Sequence, residues 1–256
     1  MNRMIVSLAA LLVSISAVAE EIGATLEWSK RVELGVTLSG VIETVAVKPG
    51  QRVKKGDLLV ALDDSYFKAR VAKAEAELGE AKQNQEEGVR ELERATELYD
   101  RTVLSDHDLH MAQIGEARAK ALWHKAQAEL AEARIRLQQS RIQAPFAGVI
   151  TGVFAQTGQA VVSGLAAQPL VEMADDSQLI ARAEITPEQI NNIGDQTDFS
   201  VDIAGNRFPA KLLQIGLQPL RGATSGAPLY DLQVSFDRPE SLAARVGLPA
   251  VISTTQ

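Results

Sequence analysis

The sequence predicts an elongated α+β protein: a β-sandwich interrupted by a long antiparallel α-helical coiled-coil hairpin and followed by a small β-barrel. Three observations carry this prediction. A β-type segment within residues 39–65 recurs 108 residues downstream. The stretch between the two copies has no proline and an apolar seam at heptad spacing. Residues 176–256 read as short strands around one capped helix.

In chain order, residues 1–19 have the pattern of a secretory signal peptide. Asn2-Arg3 give a positive start, Met4 to Ser16 an apolar run, and Ala17-Val18-Ala19 a small-x-small cleavage site before Glu20. The run is about 13 residues, against about 20 for a membrane-spanning helix, so cleavage is expected rather than anchoring. Residues 20–38 are expected to form an N-terminal strand segment.

Residues 39–65, SGVIETVAVKPGQRVKKGDLLVALDDS, alternate apolar and polar positions (Val41, Thr44, Val45, Val47), turn at Pro49-Gly50 and near Gly56, then run apolar from Leu58 to Leu62. Two strands this short cannot bury enough surface to be stable alone. The complement lies at Gly148 to Gly164, GVITGVFAQTGQAVVSG, which aligns without gaps on Gly40 to Gly56. Eight of 17 positions are identical, including Gly50/Gly158, Gln51/Gln159 and Gly56/Gly164; composition alone gives about one. After three extra residues the match resumes, with Leu59-Val60 on Leu170-Val171 and Asp64 on Asp175. Residues 39–65 and 141–175 are therefore expected to be two halves of one pseudo-twofold sandwich, with the shared glycines at turns that need positive φ or close backbone approach.

Residues 66–140 are rich in Ala, Glu, Lys, Arg, Gln and Leu, good helix formers. One seam runs Phe67, Val71, Ala74, Leu78, Ala81, Gln85, Gly88, Leu92, Ala95, Tyr99; the other runs Leu109, Ala112, Glu116, Ala119, Trp123, Ala126, Leu130, Ala133, Leu137. The pattern breaks at Thr102-Val103-Leu104. Folding the arms antiparallel about residue 102 sets Phe67 against Leu137 and Gly88 against Glu116, so the polar interruptions Gln85 and Glu116 fall at one height. Each arm of about 35 residues spans roughly 53 Å.

In residues 176–256, QLIARAEI, DFSVDIAG, RFPAKLLQIG, PLYDLQVSFD and PAVISTT read as strands, and TPEQINNIG as a helix with Thr186 as N-cap, Pro187 at its first position, Gln189 completing a capping box and Gly194 at its end. RGATSGAP (221–228) reads as a flexible loop.

The formal net charge of −7, with six Phe, three Tyr and two Trp, disfavours nucleic acid as a partner. Without cysteine there is neither a disulfide nor a lipidated N-terminal Cys. No nucleophile turn and no phosphate-binding glycine loop is visible, so an enzyme is not expected. His107 and His110 with Asp106 and Asp108 cluster at a helix start, where capping and solubility explain them better than a metal.

GVIETVAVKPGQRVKKGDLLVALD, IQAPFAGVITGVFAQTGQAV and the order half-module, helical hairpin, half-module, barrel resemble the periplasmic adaptor subunits, or membrane fusion proteins, of tripartite efflux pumps, the HlyD-like family. The likeness covers about residues 32 to 252. It implies a split lipoyl-like sandwich, localisation in the periplasm and no cofactor. The partners implied are an inner-membrane RND transporter, a TolC-type outer-membrane channel and further copies of the chain in a ring, commonly of six. In members working with such partners the hairpin tip carries R-x-x-x-L-x-x-x-x-x-x-S, matched here by Arg94, Leu98 and Ser105. The resemblance implies that these touch the channel. Many relatives add a membrane-proximal domain built from both chain ends; with about 12 residues between Glu20 and Val32, that domain is expected to be missing. An ABC-type exporter or type I secretion system is the alternative setting. A lipoyl or biotinyl carrier is disfavoured, because the hairpin that bears the modified lysine in carriers is replaced by helix, and Lys54-Lys55 sit in another turn.

On residue physics alone, Arg94 reads as an exposed helix charge beside Glu91 and Glu97, and Ser105 as the N-cap of the second helix. Leu98 lies off the seam that Ala95 and Tyr99 define, close to Val103 and Leu104 in the loop. An apolar cluster at the end of a charged rod is what a protein contact site looks like.

Overall fold

The computed structural model describes residues 21–162, 168–220, 228–239 and 245–254. The signal peptide at 1–19, Gly164 of the second repeat and most of the loop at 221–228 lie outside the described residues. The elements in chain order are β1 (Glu21–Trp28), β2 (Arg31–Leu34), β3 (Gly40–Val45), β4 (Arg52–Val53), β5 (Leu58–Leu62), α1 (Ser65–Asp100), α2 (Asp106–Gln139), β6 (Arg141–Gln143), β7 (Gly148–Val153), β8 (Ala160–Val161), β9 (Val171–Ala174), β10 (Gln178–Ile185), α3 (Pro187–Ile193), β11 (Asp198–Ile203), β12 (Asn206–Ile215), β13 (Tyr230–Asp237) and β14 (Pro249–Thr254). They fall into two compact units, residues 30–175 and the remainder. The segment 20–38 divides between them: β1 joins the barrel and β2 the sandwich.

The sandwich has two four-stranded sheets, ordered β2-β9-β7-β4 and β6-β5-β3-β8. Exchanging β2–β5 with β6–β9 turns one order into the other, so each half builds the centre of one sheet and lends its outer strands to the edges of the other. Neither half has a complete sheet without its partner. The repeated glycines explain the fit. Gly50 and Gly158 have φ +83° and +85°, where a side chain is strained. Lys48 N–H donates to Gln51 Oε1 at 3.1 Å and Gln156 N–H to Gln159 Oε1 at 3.0 Å, so the matched glutamines brace matched turns. At Gly148 a Cβ would lie 2.1 Å from the Ala174 carbonyl oxygen, so the strand crossing tolerates nothing larger. Ile42, Leu59, Leu62, Ile150, Leu170 and Met173 fill the single core between the sheets.

The helical pair leaves this core between two neighbouring strands, since β5 before α1 pairs antiparallel with β6 after α2. The 36 residues of α1 and 34 of α2 contain no proline to kink them. The heptad seam is confirmed: every seam position from Phe67 to Ala95 and from Leu109 to Leu137 is buried or half-buried. The expected register holds as well, because a Cβ on Gly88 would sit 3.3 Å from the Glu116 Cα.

At the root, Asp64 receives Lys68 Nζ at 2.8 Å and Arg141 Nη2 at 2.9 Å, tying the start of α1 to the first residue of β6. These hydrogen bonds, from Lys68 first and then Arg141, hold the Asp64 carboxyl below its usual range.

In the other unit, six strands close a barrel in the order β1-β10-β13-β12-β11-β14, with β14 pairing back onto β1. The five strands and capped helix expected from the sequence are all present. Thr186 Oγ1 accepts from Gln189 N–H, and the Gln189 side chain caps Thr186 in return. Leu26, Leu179, Phe199, Val201, Leu232 and Ile252 form the core, with Ile193 of α3 packed into it. Closure removes the free strand edges that invite aggregation.

Candidate partner-docking site at the hairpin tip

The turn between the helices is a Schellman closure made without glycine. Thr102 N–H donates to the Tyr99 carbonyl at 2.8 Å and Val103 N–H to the Leu98 carbonyl at 3.0 Å, capping the end of α1. The position that glycine usually takes is Thr102, at φ +56°. A β-branched residue there is strained, so the tip's shape is held at a cost.

On the other side Ser105 caps α2. Its Oγ accepts from Asp108 N–H at 3.2 Å and donates to Asp108 Oδ2 at 2.6 Å. Asp106 and Asp108 lie in the first turn, where the helix dipole favours negative charge. The Tyr99 hydroxyl bonds to Asp106 across the turn, which raises the Tyr99 pKa above its ordinary value. Both acidic residues beside His107 and His110 are thus engaged locally. Among the described residues no group of three or more His, Asp or Glu is placed to hold a metal.

Of the five tip residues singled out in the sequence, Arg94 is exposed and paired with Glu91 one turn back on its own helix. Ser105 is exposed in its capping role, and Val103, 72% exposed, projects from the loop. Leu98 requires a correction. It does not point away from the seam: it is half-buried and, with Leu104, lines a groove between the helices beside Met111 and Ala112. Tyr99, placed in the seam by the 4-3 spacing, is instead 38% exposed. The reason is the closure at Thr102, which ends the heptad pattern and takes the last inward position at three residues after Ala95 rather than four. The heptad spacing does not point to Met111, Gly115 or Glu116 as site residues; the signal for the groove is the helix stop at Thr102, which turns Leu98 inward beside Met111.

The turn at Lys54-Lys55 is a surface turn of the sandwich, where Lys54 N–H donates to Asp57 Oδ2 at 2.7 Å. No helix among the described residues is long and apolar enough to cross a membrane.

A core shared by two chain-distant halves, with a helical pair between two of its neighbouring strands, defines a barrel-sandwich hybrid. Residues 30–173 match the family model described as RND MFP, barrel-sandwich hybrid domain, and the chain belongs to that family. It is 27% identical over 181 residues to the macrolide export protein MacA of Escherichia coli O157:H7, covering 64% of this chain and 48% of that one. It is 28% identical over 140 residues to the multidrug resistance protein MdtA of Escherichia fergusonii, covering 55% of this chain and 34% of that one. The chain thus spans about half the length or less of these curated relatives. Its fold is shared with the membrane fusion protein Spr0693 from Streptococcus pneumoniae R6, at TM-score 0.73 and 16% identity over 92% of this chain and 98% of that one.

Proposed function

We propose that the protein is a periplasmic adaptor linking an inner-membrane RND transporter to a TolC-type outer-membrane channel in a tripartite efflux pump. The observation that carries this reading is the hairpin: two helices of 36 and 34 residues whose closed tip presents Arg94, Val103 and Ser105 to solvent. Its length is far more than core packing requires, and its far end is built for contact rather than chemistry. The similarity to proteins of macrolide export and multidrug resistance supports export as the process. The chain reaches the periplasm by its leader, cleaved near Ala19, and several copies, commonly six, form a ring around the export path. It acts as a non-catalytic linker, and the transporter supplies the energy.

The test is copurification of the full chain from its native host after membrane solubilisation. The wild-type chain should bring down an inner-membrane transporter and an outer-membrane channel, and Val103→Asp should lose the channel, keep the transporter and abolish export at normal abundance. Full export by the Val103→Asp strain overturns the tip assignment. The second reading is an adaptor of an ABC-type exporter, favoured by the similarity to a macrolide export protein. Recovery of an ATP-hydrolysing transporter in the same experiment decides for it.

A further inference from the structure

We propose that the groove on the flank of the hairpin, just below its tip, receives a basic side chain from the periplasmic end of the outer-membrane channel, with Glu116 as its anchor. This rests on the reading of the tip as the channel contact and adds the chemistry that the contact selects. The groove, of about 540 Å³, is lined by Leu98, Leu104 and Met111 together with Glu87, Glu91, Asp108 and Glu116. No lysine or arginine lines it. Its acids are not equivalent. Glu87 and Glu91 pair with Arg90 and Arg94, and Asp108 is held by Ser105. Glu116 is half-buried in the seam and has no hydrogen bond or ion pair among the described residues.

The space beside Glu116 is closed toward α1 and open at Gly115. Gly88 brings the α1 backbone against Glu116, and a Cβ on neighbouring Gly115 would meet nothing within 4 Å. The seam of α2 places alanine at 112, 119, 126 and 133. An alanine at 116 would continue that pattern and favour the helix. A seam glutamate without a counter-charge among the described residues is accounted for when the counter-charge arrives with a partner. Complementarity makes that group a lysine or arginine, and Leu98, Leu104 and Met111 in the lining suit small apolar residues beside it.

The experiment places the photo-crosslinking residue p-benzoylphenylalanine at Gly115, where there is room for it, in the full chain in its host. The expected result is an adduct with the outer-membrane channel, at a peptide of its periplasmic end carrying Lys or Arg. Glu116→Lys should reduce it at least roughly tenfold, and reversing that channel residue to Glu should restore it. The folding control is Glu116→Ala, expected to melt no lower than the wild type while forming less channel adduct. An adduct with a second copy of this chain, an adduct unchanged by Glu116→Lys, or a lower melting temperature of Glu116→Ala with an unchanged adduct overturns the proposal. A probe at Val103 separates the two readings. Capture of the channel from Val103 but not from Gly115 ends the groove proposal alone; failure at both positions ends the tip contact as well.

Discussion

Ile42 donates its backbone N–H to the Gln159 carbonyl at 2.9 Å, and Ile150 donates its own to the Gln51 carbonyl at 2.9 Å. The two isoleucines stand at matching positions of the repeat, and each bonds to the turn of the other copy. The same exchange runs in reverse, with Gly158 N–H donating to the Ile42 carbonyl and Gly50 N–H to the Ile150 carbonyl, both at 2.8 Å. Each half therefore satisfies backbone groups that would be left unpaired if it folded alone.

This interlock is testable because the chain has no cysteine of its own. Val41 and Ala160 are cross-strand partners, at a separation that suits a disulfide. The double variant Val41→Cys/Ala160→Cys should form an intramolecular disulfide in the monomer, seen by non-reducing electrophoresis and peptide mass spectrometry. Exclusively intermolecular bridging would mean two separate β-modules.

At the tip, Thr102→Gly should stabilise the hairpin by about 1 kcal/mol, because glycine adopts positive φ without the Cβ clash. Urea unfolding followed by helical circular dichroism measures it. A loss of stability would show that Thr102 contributes more through its side chain than its backbone costs.

Glycines in the sandwich and the helix should respond in opposite directions. Gly148→Ala forces a Cβ onto the Ala174 carbonyl oxygen and should cost about 2 kcal/mol or more. Gly79→Ala, in α1 with nothing within 4 Å of the added methyl, should gain up to about 1 kcal/mol. Thermal melts of both variants check the pair.

Asp64 gives the root of the hairpin an acid dependence. Its pKa is lowered in the folded chain, chiefly by the hydrogen bond from Lys68 and then by that from Arg141. The stabilisation is thus fully present above the unfolded-state value, about 4, and is lost as pH falls through the lower folded value. Urea midpoints measured from pH 7 down to about 2.5 should fall less steeply for Asp64→Asn than for the wild type in the window below about pH 4. Parallel curves would show that Asp64 contributes nothing to the acid limb.

Much of this fold is legible in the sequence because its signals are local and repeated. The shared Gly50/Gly158 and Gln51/Gln159 follow from a turn used twice, and the seam positions from the heptad of an uninterrupted helix pair. What escapes is set by long-range closure. Ile22, Ala24, Leu26 and Trp28 alternate as a strand does, yet nothing local shows that β1 completes a barrel whose other strands begin at Gln178. Leu98 and Tyr99 exchange their expected roles because one left-handed residue, Thr102, ends the periodicity that placed them. The isolation of Glu116 depends on which cations fail to reach it, and spacing along the chain does not encode that.

The most direct measurement for the bridging role is in-cell photo-crosslinking from Val103, with p-benzoylphenylalanine at Gly79, in the body of α1, as the control. The account predicts an adduct between position 103 and the periplasmic end of an outer-membrane channel, and none from position 79. Equal capture from both positions, or no channel adduct from Val103 in cells that export normally, would contradict it.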